Sequence, residues 1–537
     1  MKKNSSLLLI LLISSISFAQ VTFVNQSDLI GNYSVYSSAG VDVNGDYLDD
    51  YVRITETGIG IDYQQPNGTF NSIFISKSIQ NIPNWSIAAG DIDENGYTDF
   101  VLGYGNAVSF LFANNDGTDY TEIPFPQYIF SQRSNMVDID NDGDLDAFVC
   151  HDVDESHPYR NDGNQNMVLD QTLIQTLDLA GNYASLWVDY DNDGDTDMYL
   201  TKCRQGSTPG DPERTNAMYR NNGDGTWTEV AASINMADNA QSWSTCFADF
   251  DNDGDFDAYT VNHDEQNRFY LNDGTGVFTD IIGSTGIDPN DLGAWENQAA
   301  DFDNDGFVDI FSEMARELYI NNGDLTFTGY DLPFDEGAIA DFNNDGFLDV
   351  AHNGNLWINQ GNSNNWVKIV LEGIQSNSNG IGARIIIYGS WGTQMREIRS
   401  GEGFSHMNSL TAHFGIGQST SIDKIRIEWP SGIIDEYDNP DINTQHVYVE
   451  GESQLAVTEF DKLGLNLFPV PTKDILNFSL PNLKNTNVTI VDVNGKQIQT
   501  TTISKQNNIN VSQLQNGIYF IQTEIEGKKV IKKFIKQ

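Results

Sequence analysis

The chain has 537 residues, enough for two or more domains with separate cores. Acids outnumber bases 77 to 28, a formal charge of −49, which excludes nucleic acid and anionic lipid as partners, since both need a basic face. At 39% hydrophobic and 11% aromatic it is too apolar for a disordered acidic tail, and its natural counter-charge is cationic.

Residues 1–19 read as a secretory signal peptide: Lys2 and Lys3, a short apolar run from Leu7 to Ile16, then Ser17-Phe18-Ala19 before a mature start at Gln20. Export by the Sec route to the extracellular space or outer cell surface is expected. No later stretch is long and apolar enough to span a bilayer. Cys150, Cys203 and Cys246 make no disulfide framework, although one unspecified pair can form in an oxidising compartment.

From residue 42 an acidic nonamer recurs seven times, at 42, 91, 138, 189, 249, 301 and 341. Its positions 1, 3, 5 and 9 are Asp42, Asn44, Asp46 and Asp50 in the first copy. They are Asp91, Asp93, Asn95 and Asp99 in the second, and Asp138, Asp140, Asp142 and Asp146 in the third. The fourth and fifth carry Asp189, Asp191, Asp193 and Asp197, then Asp249, Asp251, Asp253 and Asp257. The last two carry Asp301, Asp303, Asp305 and Asp309, then Asp341, Asn343, Asp345 and Asp349. Position 6 is Gly except in the first copy, where Tyr47 stands there and Gly45 is displaced.

Alternate oxygens on a curled loop converge on one point, and Gly at position 6 allows the curl. This many hard oxygen ligands suit Ca²⁺, up to seven ions as structural staples, with the loop at 42 the weakest site. Position 12 is not Glu (Leu200 and Thr260, for example) and the flanks read as strands, so the loop is not an EF-hand.

Most copies are followed by a hairpin signal, such as "MYRNNGDGTWTEV" at 218 and "FYLNDGTGVFTDI" at 269. Four short strands per repeat predict an all-β, seven-bladed β-propeller over 20–362. The last copy lacks its final strand, and "VTFVNQS" from Val21 is placed to supply it. These repeats resemble the FG-GAP/VCBS repeats of integrin-α-type propellers, whose calcium hairpins read DxDxDGxxD. The resemblance implies the propeller and its calcium, not cell adhesion.

Beyond the repeats, 365–451 opens a second β-rich unit. SNSNGIGAR (376–384), SGEGF (400–404), HFGIG (413–417) and WPSG (429–432) resemble the ASPIC/UnbV domain of cartilage acidic protein-like chains, with Ser378 and Asn379 in place of an Arg-Asp pair. Its glycines read as turn and packing positions rather than a phosphate cradle. Glu402 and His406, with Arg396 and Arg399, read as a polar β-hairpin. Residues 452–462 form a linker. From 463 to 537 nine Lys face four acids, a reversal of sign that marks a boundary. Pro469-Val470-Pro471-Thr472, "DVNGK" at 492 and "LQNGIYF" at 514 resemble the type A C-terminal sorting domain of the type IX secretion system, a small β-sandwich. That resemblance implies the type IX machinery as a partner.

No HExxH, GxSxG or CxxC occurs, and no catalytic residue is assigned. His151 and His157 read as loop residues beside the third acidic loop. Trp187, Trp243, Trp295 and Trp357 are expected between blades, with some free to stack on sugars. The expected function is a secreted or surface-anchored, non-catalytic binding or adhesion module for polysaccharide or protein. The alternative is a polysaccharide-degrading enzyme on the same scaffold, for which the insertion "CRQGSTPGDPERTN" (203–216) is the natural working loop.

Overall fold

Short β-branched and aromatic runs broken by Asp-, Asn- and Gly-rich turns have one stable outcome, antiparallel strands joined by tight loops. The computed structural model describes residues 21–83, 85–163, 166–174, 179–290, 293–455, 466–468, 472–479, 486–492, 496–503, 508–525 and 528–536. The expected signal peptide lies outside the described residues. The chain is all-β and divides into two compact units, Met1–Glu450 and Gly451–Gln537.

In the first unit the repeats fold into seven successive antiparallel sheets among the described residues. The fourth sheet is representative: Asn182–Val188, Asp197–Lys202, Ala217–Asn221 and Trp227–Glu229 pair in chain order. The acidic nonamer always joins the first strand to the second. The seventh sheet takes its outer strand from the other end of the chain, with Phe23 opposite Asn359 and Asn25 opposite Trp357. First strands of neighbouring sheets lie against one another, and Ser37–Val41 of the first sheet also contacts Ala338–Ala340 of the seventh. Apolar residues from facing sheets fill the gaps, as where Phe311 and Leu318 meet Ile339 and Val350.

Residues 365–450 belong to the same compact unit as the repeats, so the boundary expected at 365 is a change of sequence pattern rather than of packing. Two sheets, of three and four strands, share a core of Val367, Ile369, Ile385, Ile387, Phe414 and Ile427. This segment covers the acidic-loop end of the seven sheets. Glu372 meets Tyr47, Asn379 Oδ1 accepts the Asp91 N–H at 2.7 Å, and Arg384 reaches Asp189. Asn304 O accepts the Gly417 N–H at 2.8 Å, and His413 Nε2 lies 3.0 Å from Gly346 O. Ser378 and Asn379, which replace the family's charge pair, thus bond to the second acidic loop without charge.

The expected polar hairpin around Glu402 and His406 is not formed. Residues 399–409 instead run between the first strands of several sheets. Ser400 Oγ donates to Ala89 O at 2.6 Å, and Asn135 donates to the Ser400 and Gly401 carbonyls. Glu296 accepts the Phe404 N–H, His406–Met407 pairs in parallel with Ser38–Ala39, and Ile339 O accepts the Ser409 N–H. Hydrogen-bonding edges of several sheets compete for this segment, so no partner strand within its own domain holds it.

Near Gly415 a Cβ would lie 2.3 Å from the Asn304 backbone and from Asp301. The glycine of HFGIG is therefore a close-approach position, as read from the sequence. The second unit holds one sheet of Asn466–Phe468, Ile475–Ser479 and Asn508–Asn510. Another combines Thr486–Asp492, Gln497–Ile503, Gly517–Ile525 and Lys528–Lys536. Of the expected linker, Glu452–Leu455 is one helical turn. Residues 456–465 and the prolines at 469 and 471 lie outside the described residues.

Candidate metal centres and the opposite mouth

Each acidic loop closes on its own backbone. In six of the loops the first Asp accepts the N–H of position 5 on one oxygen and of position 6 on the other: Asp138 takes Asp142 at 3.1 Å and Gly143 at 2.9 Å, and Asp249 takes Asp253 at 3.0 Å and Gly254 at 3.2 Å, whereas Asp301 accepts the Gly306 N–H on Oδ2 and leaves Oδ1 bare. The position-5 side chain accepts the N–H of position 7, as Asp193 does from Asp195 at 3.0 Å. Position 6 is left-handed throughout, including Tyr47 at φ 65°. Position 4 is left-handed too, at Gly45, Glu94, Asn141, Asn192, Asn252, Asn304 and Asn344. Gly45 is thus not displaced; it fills a second left-handed position that Asn occupies in five other loops, Asn being the residue after Gly that tolerates this conformation best.

The ninth-position carboxylates are buried: Asp50, Asp99, Asp197, Asp257, Asp309 and Asp349 at 0% exposure and Asp146 at 1%. One oxygen accepts the position-2 N–H and the other reaches the third strand, as Asp257 does with Phe250 at 3.3 Å and Asn272 at 2.9 Å. Burial and the neighbouring carboxylates push Asp99 and Asp146 up to about 8 and Asp50, Asp197 and Asp257 to about 9, against the pull of these N–H groups. Burial likewise raises Asp91, Asp138 and Asp189 to about 6 and Asp249 to about 7. Such a cluster needs positive charge or protons.

The geometry gathers the expected ligands. Carboxylate oxygens of Asp91, Asp93 and Asp99 lie within 4.8 Å of one another, as do those of Asp138, Asp140 and Asp146 and of Asp189, Asp191 and Asp197. Oδ1 of Asp191, Asp251 and Asp301 is buried with no hydrogen-bond partner. Orphaned buried oxygens pointing into an all-oxygen pocket fit a hard divalent cation. Two loops differ. Asp42 is saturated by backbone donors from Asn44, Gly45, Asp46 and Tyr47. In the seventh loop Lys368 inserts an ammonium, 2.7 Å from Asp341 and 2.8 Å from Asn344.

Sequence reasoning missed an asparagine at the end of the third strand in several sheets. Asn161, Asn272, Asn321 and Asn359 donate across to the preceding sheet, for example Asn321 to Phe250 O at 2.8 Å and Asn359 to Phe302 O at 2.8 Å. Gln64 does the same between the first and seventh sheets, donating to Asp341 O at 2.8 Å. The signal was present as the recurring "YRN", "YLN", "YIN" and "WIN", read only as turn chemistry.

The other end of the sheets, where first strands begin and second strands finish, is built of different residues. Trp243 and Trp295 lie 5.1 Å apart with their planes tilted at 33°, Trp85 lies 5.9 Å from Trp295, and Tyr183 lies 5.5 Å from Trp243. Trp295 is 39% exposed. Trp187 and Trp357 instead pack inward, against Phe148 and Phe334. Below the aromatic group Arg133, fully buried, pairs with Glu296 and lies over Phe404. Glu313 is buried beside them, and burial and the Glu296 charge hold its carboxyl well above the usual range. The arginines of the 203–216 insertion are committed to structure: Arg214 binds Asp264, Asn239 O and Ser207 O, and Arg204 binds Asp152.

His151 and His157 are not beside the third loop. Asp146–His151 runs away from it, so His151 ends the strand and His157 opens the next. Burial and the His151 charge lower His157 to about 4. The unfolded chain binds the extra proton between pH 6.5 and 4, so stability falls with pH through that window, by about 2 kcal/mol for this group by pH 5. Urea titrations at pH 7 and 5 should show a smaller acid loss in His157→Gln than in the parent. The thiols of Cys150, Cys203 and Cys246 are free and buried, so the pairing left open by the sequence is not made.

Family models match this chain in three places: FG-GAP-like repeat at 91–149, 189–260 and 250–312, ASPIC and UnbV at 373–455, and secretion system C-terminal sorting domain at 466–537. Cartilage acidic protein 1 of Mus musculus is 28% identical over 250 residues, covering 40% of this chain and 38% of that protein. The Homo sapiens protein is 28% identical, covering 40% and 37%. The chain thus aligns with less than two-fifths of these relatives' length. Among solved structures, an Agrocybe aegerita protein recognising non-reducing terminal N-acetylglucosamine covers 63% of this chain and 93% of its own at 18% identity and TM-score 0.40. Rhamnogalacturonan lyase YesW covers 60% and 71% at 12% identity and TM-score 0.35. Among the described residues no helix is long and apolar enough to cross a membrane. The chain therefore carries FG-GAP-like repeats, an ASPIC and UnbV domain and a secretion system C-terminal sorting domain, and it is homologous to cartilage acidic protein 1.

Proposed function

We propose that this is an exported, calcium-stapled, seven-bladed β-propeller that binds an extracellular polysaccharide or protein ligand without catalysis. The seven sheets serve as blades, and the shared seventh sheet closes the ring. Asp or Asn at positions 1, 3, 5 and 9 of the loops would hold Ca²⁺, whose charge offsets the buried carboxylates when bound. Lys368 supplies positive charge in the seventh loop. The ASPIC and UnbV domain covers that end, and its 399–409 segment fills the channel. The ligand surface is therefore the opposite mouth, and the observation that carries this is the cluster of half-buried Trp85 and Trp243 around the exposed Trp295. Flat indole faces stack on sugar rings, which favours polysaccharide over protein. The sorting domain supports passage through the type IX machinery to the cell surface or medium.

A glycan array probed with the full chain in calcium tests this. A hit is expected, and Trp295→Ala should weaken it about tenfold, near 1.4 kcal/mol. A hit that Trp295→Ala leaves unchanged removes the mouth from the reading, and a blank array moves the ligand to protein. One observation favours a second reading, polysaccharide cleavage: Glu296 and Glu313 form a buried pair next to this mouth, and burial and the Glu296 charge hold the Glu313 carboxyl well above the usual range, the direction a general acid needs. New reducing ends from an array hit, lost in Glu313→Gln, would establish it.

A further inference from the structure

The mouth also gathers nitrogen donors, which the acidic loops lack. Glu336 lies in the turn before Ala338–Ala340, His352 ends the strand Asp349–His352, and His406 comes from the 399–409 segment. One donor atom from each lies within 4.8 Å of the others. His352 Nε2 is 3.1 Å from Glu336 Oε1, and His406 Nε2 is 3.5 Å from Glu336 Oε2. A tetrahedral ion with bonds of ~2.0 Å has ligand–ligand edges of ~3.3 Å, which these two spacings bracket. The imidazoles stand 5.5 Å apart with their planes at 89°.

Two buried atoms here have no hydrogen-bond partner: His406 Nε2 and Glu313 Oε2, 3.9 Å apart, on residues 2% and 1% exposed. The other Glu313 oxygen is occupied, accepting from Gln298 at 2.7 Å and from Gly337 N at 3.2 Å. A nitrogen and an oxygen left bare in so dry a place point at a missing partner. A cavity of about 200 Å³, lined also by Trp85, Trp295 and Tyr36, opens onto Glu336, His352 and His406 and gives an ion its entry.

We propose that Glu336, His352 and His406, with Glu313 behind them, form a site for one borderline divalent transition-metal ion, Zn²⁺ foremost. Two imidazoles and a carboxylate suit Zn²⁺ rather than Ca²⁺, so the site is chemically separate from the loops. His352 presents its Nε2 toward Glu336. The Asn353 amide lies 2.5 Å from that nitrogen and, being on an exposed residue, swings aside as the ion enters. Three or four protein ligands facing a cavity leave room for a water or a ligand oxygen beside the tryptophans. This goes beyond the binding reading above and does not depend on it.

The test uses the full chain, stripped with chelator and returned to millimolar Ca²⁺ so that the loops are filled. Co²⁺ is titrated and read by its visible ligand-field absorption, then displaced by Zn²⁺. A saturable band equivalent to one ion per chain is expected. His352→Ala and Glu336→Gln should each weaken Co²⁺ binding at least ~tenfold, while their melting temperatures in Ca²⁺ stay near the parent's. His406→Asn is a third variant, informative only if its melting shows that the 399–409 segment still seats. The site is refuted if no saturable band appears, or if His352→Ala and Glu336→Gln bind Co²⁺ as the parent does. Glycan binding is measured in the same samples without Co²⁺ or Zn²⁺, so loss of the sugar reading leaves this result standing.

Discussion

Chelation of the purified protein should lower its melting temperature by ~10–15 °C, and excess Ca²⁺ should restore it. Extracellular calcium modules bind at ~0.1–1 mM, and a site held at ~100 times its dissociation constant adds ~2.7 kcal/mol. Five loops, at 91, 138, 189, 249 and 301, have neither the saturated Asp42 nor the Lys368 ammonium of the other two. Filled with Ca²⁺ they would together contribute ~13 kcal/mol. For a unit of this size 1 kcal/mol moves the midpoint by ~1 °C. The loss is large because the carboxylates cannot escape: Asp257 and Asp309 are fully buried and already spend both oxygens on backbone N–H groups. Differential scanning fluorimetry with EDTA and with re-added Ca²⁺ measures it, and an unmoved midpoint would mean that the loops stand without metal.

Arg133→Met should destabilise the protein by ~3–5 kcal/mol in saturating Ca²⁺. Arg133 is fully buried, and its guanidinium holds Glu296, Ser244 Oγ at 3.0 Å and the face of Phe404. Removing it leaves Glu296 as an unpaired charge beside Glu313, under the 399–409 segment that Glu296 anchors through the Phe404 N–H. Adding Glu296→Gln to Arg133→Met should recover most of the loss, because a neutral amide needs no counter-charge. The exposed pair of Lys77 and Asp119 is the control: its loss should cost under ~1 kcal/mol. Urea unfolding of the parent, the single and double variants and a Lys77→Met control separates the outcomes. Equal effects at both pairs would mean that the surroundings of Arg133 are wet and the 399–409 segment loosely held.

The acidic loops were legible because each satisfies itself within nine residues. Asp138 accepts from Asp142 and Gly143, and Asp146 reaches back to Ile139, so the spacing of the side chains is the spacing of the hydrogen bonds. The strand count per repeat was legible for the same reason, since tight turns pair neighbours in the chain. The left-handed fourth position was also written there, in the Asn of "DNDG", but its role as a turn residue hid the specific demand.

Sequence alone therefore determined the all-β repeats, the convergence of Asp and Asn in each loop, and the change to a second and third kind of β-unit. Only the tertiary structure decided what covers those loops, where the 399–409 segment lies and which residues meet at the opposite end of the sheets. His406 lies 54 residues beyond His352, and Trp85 lies 210 residues before Trp295. Their meeting depends on the path of the whole chain around the sheets, and no local period records a contact made over that distance. The SGEGF segment shows the same limit from the other side: its residues look like a hairpin because their polar groups need partners, and the fold supplies those partners from the strands of other repeats.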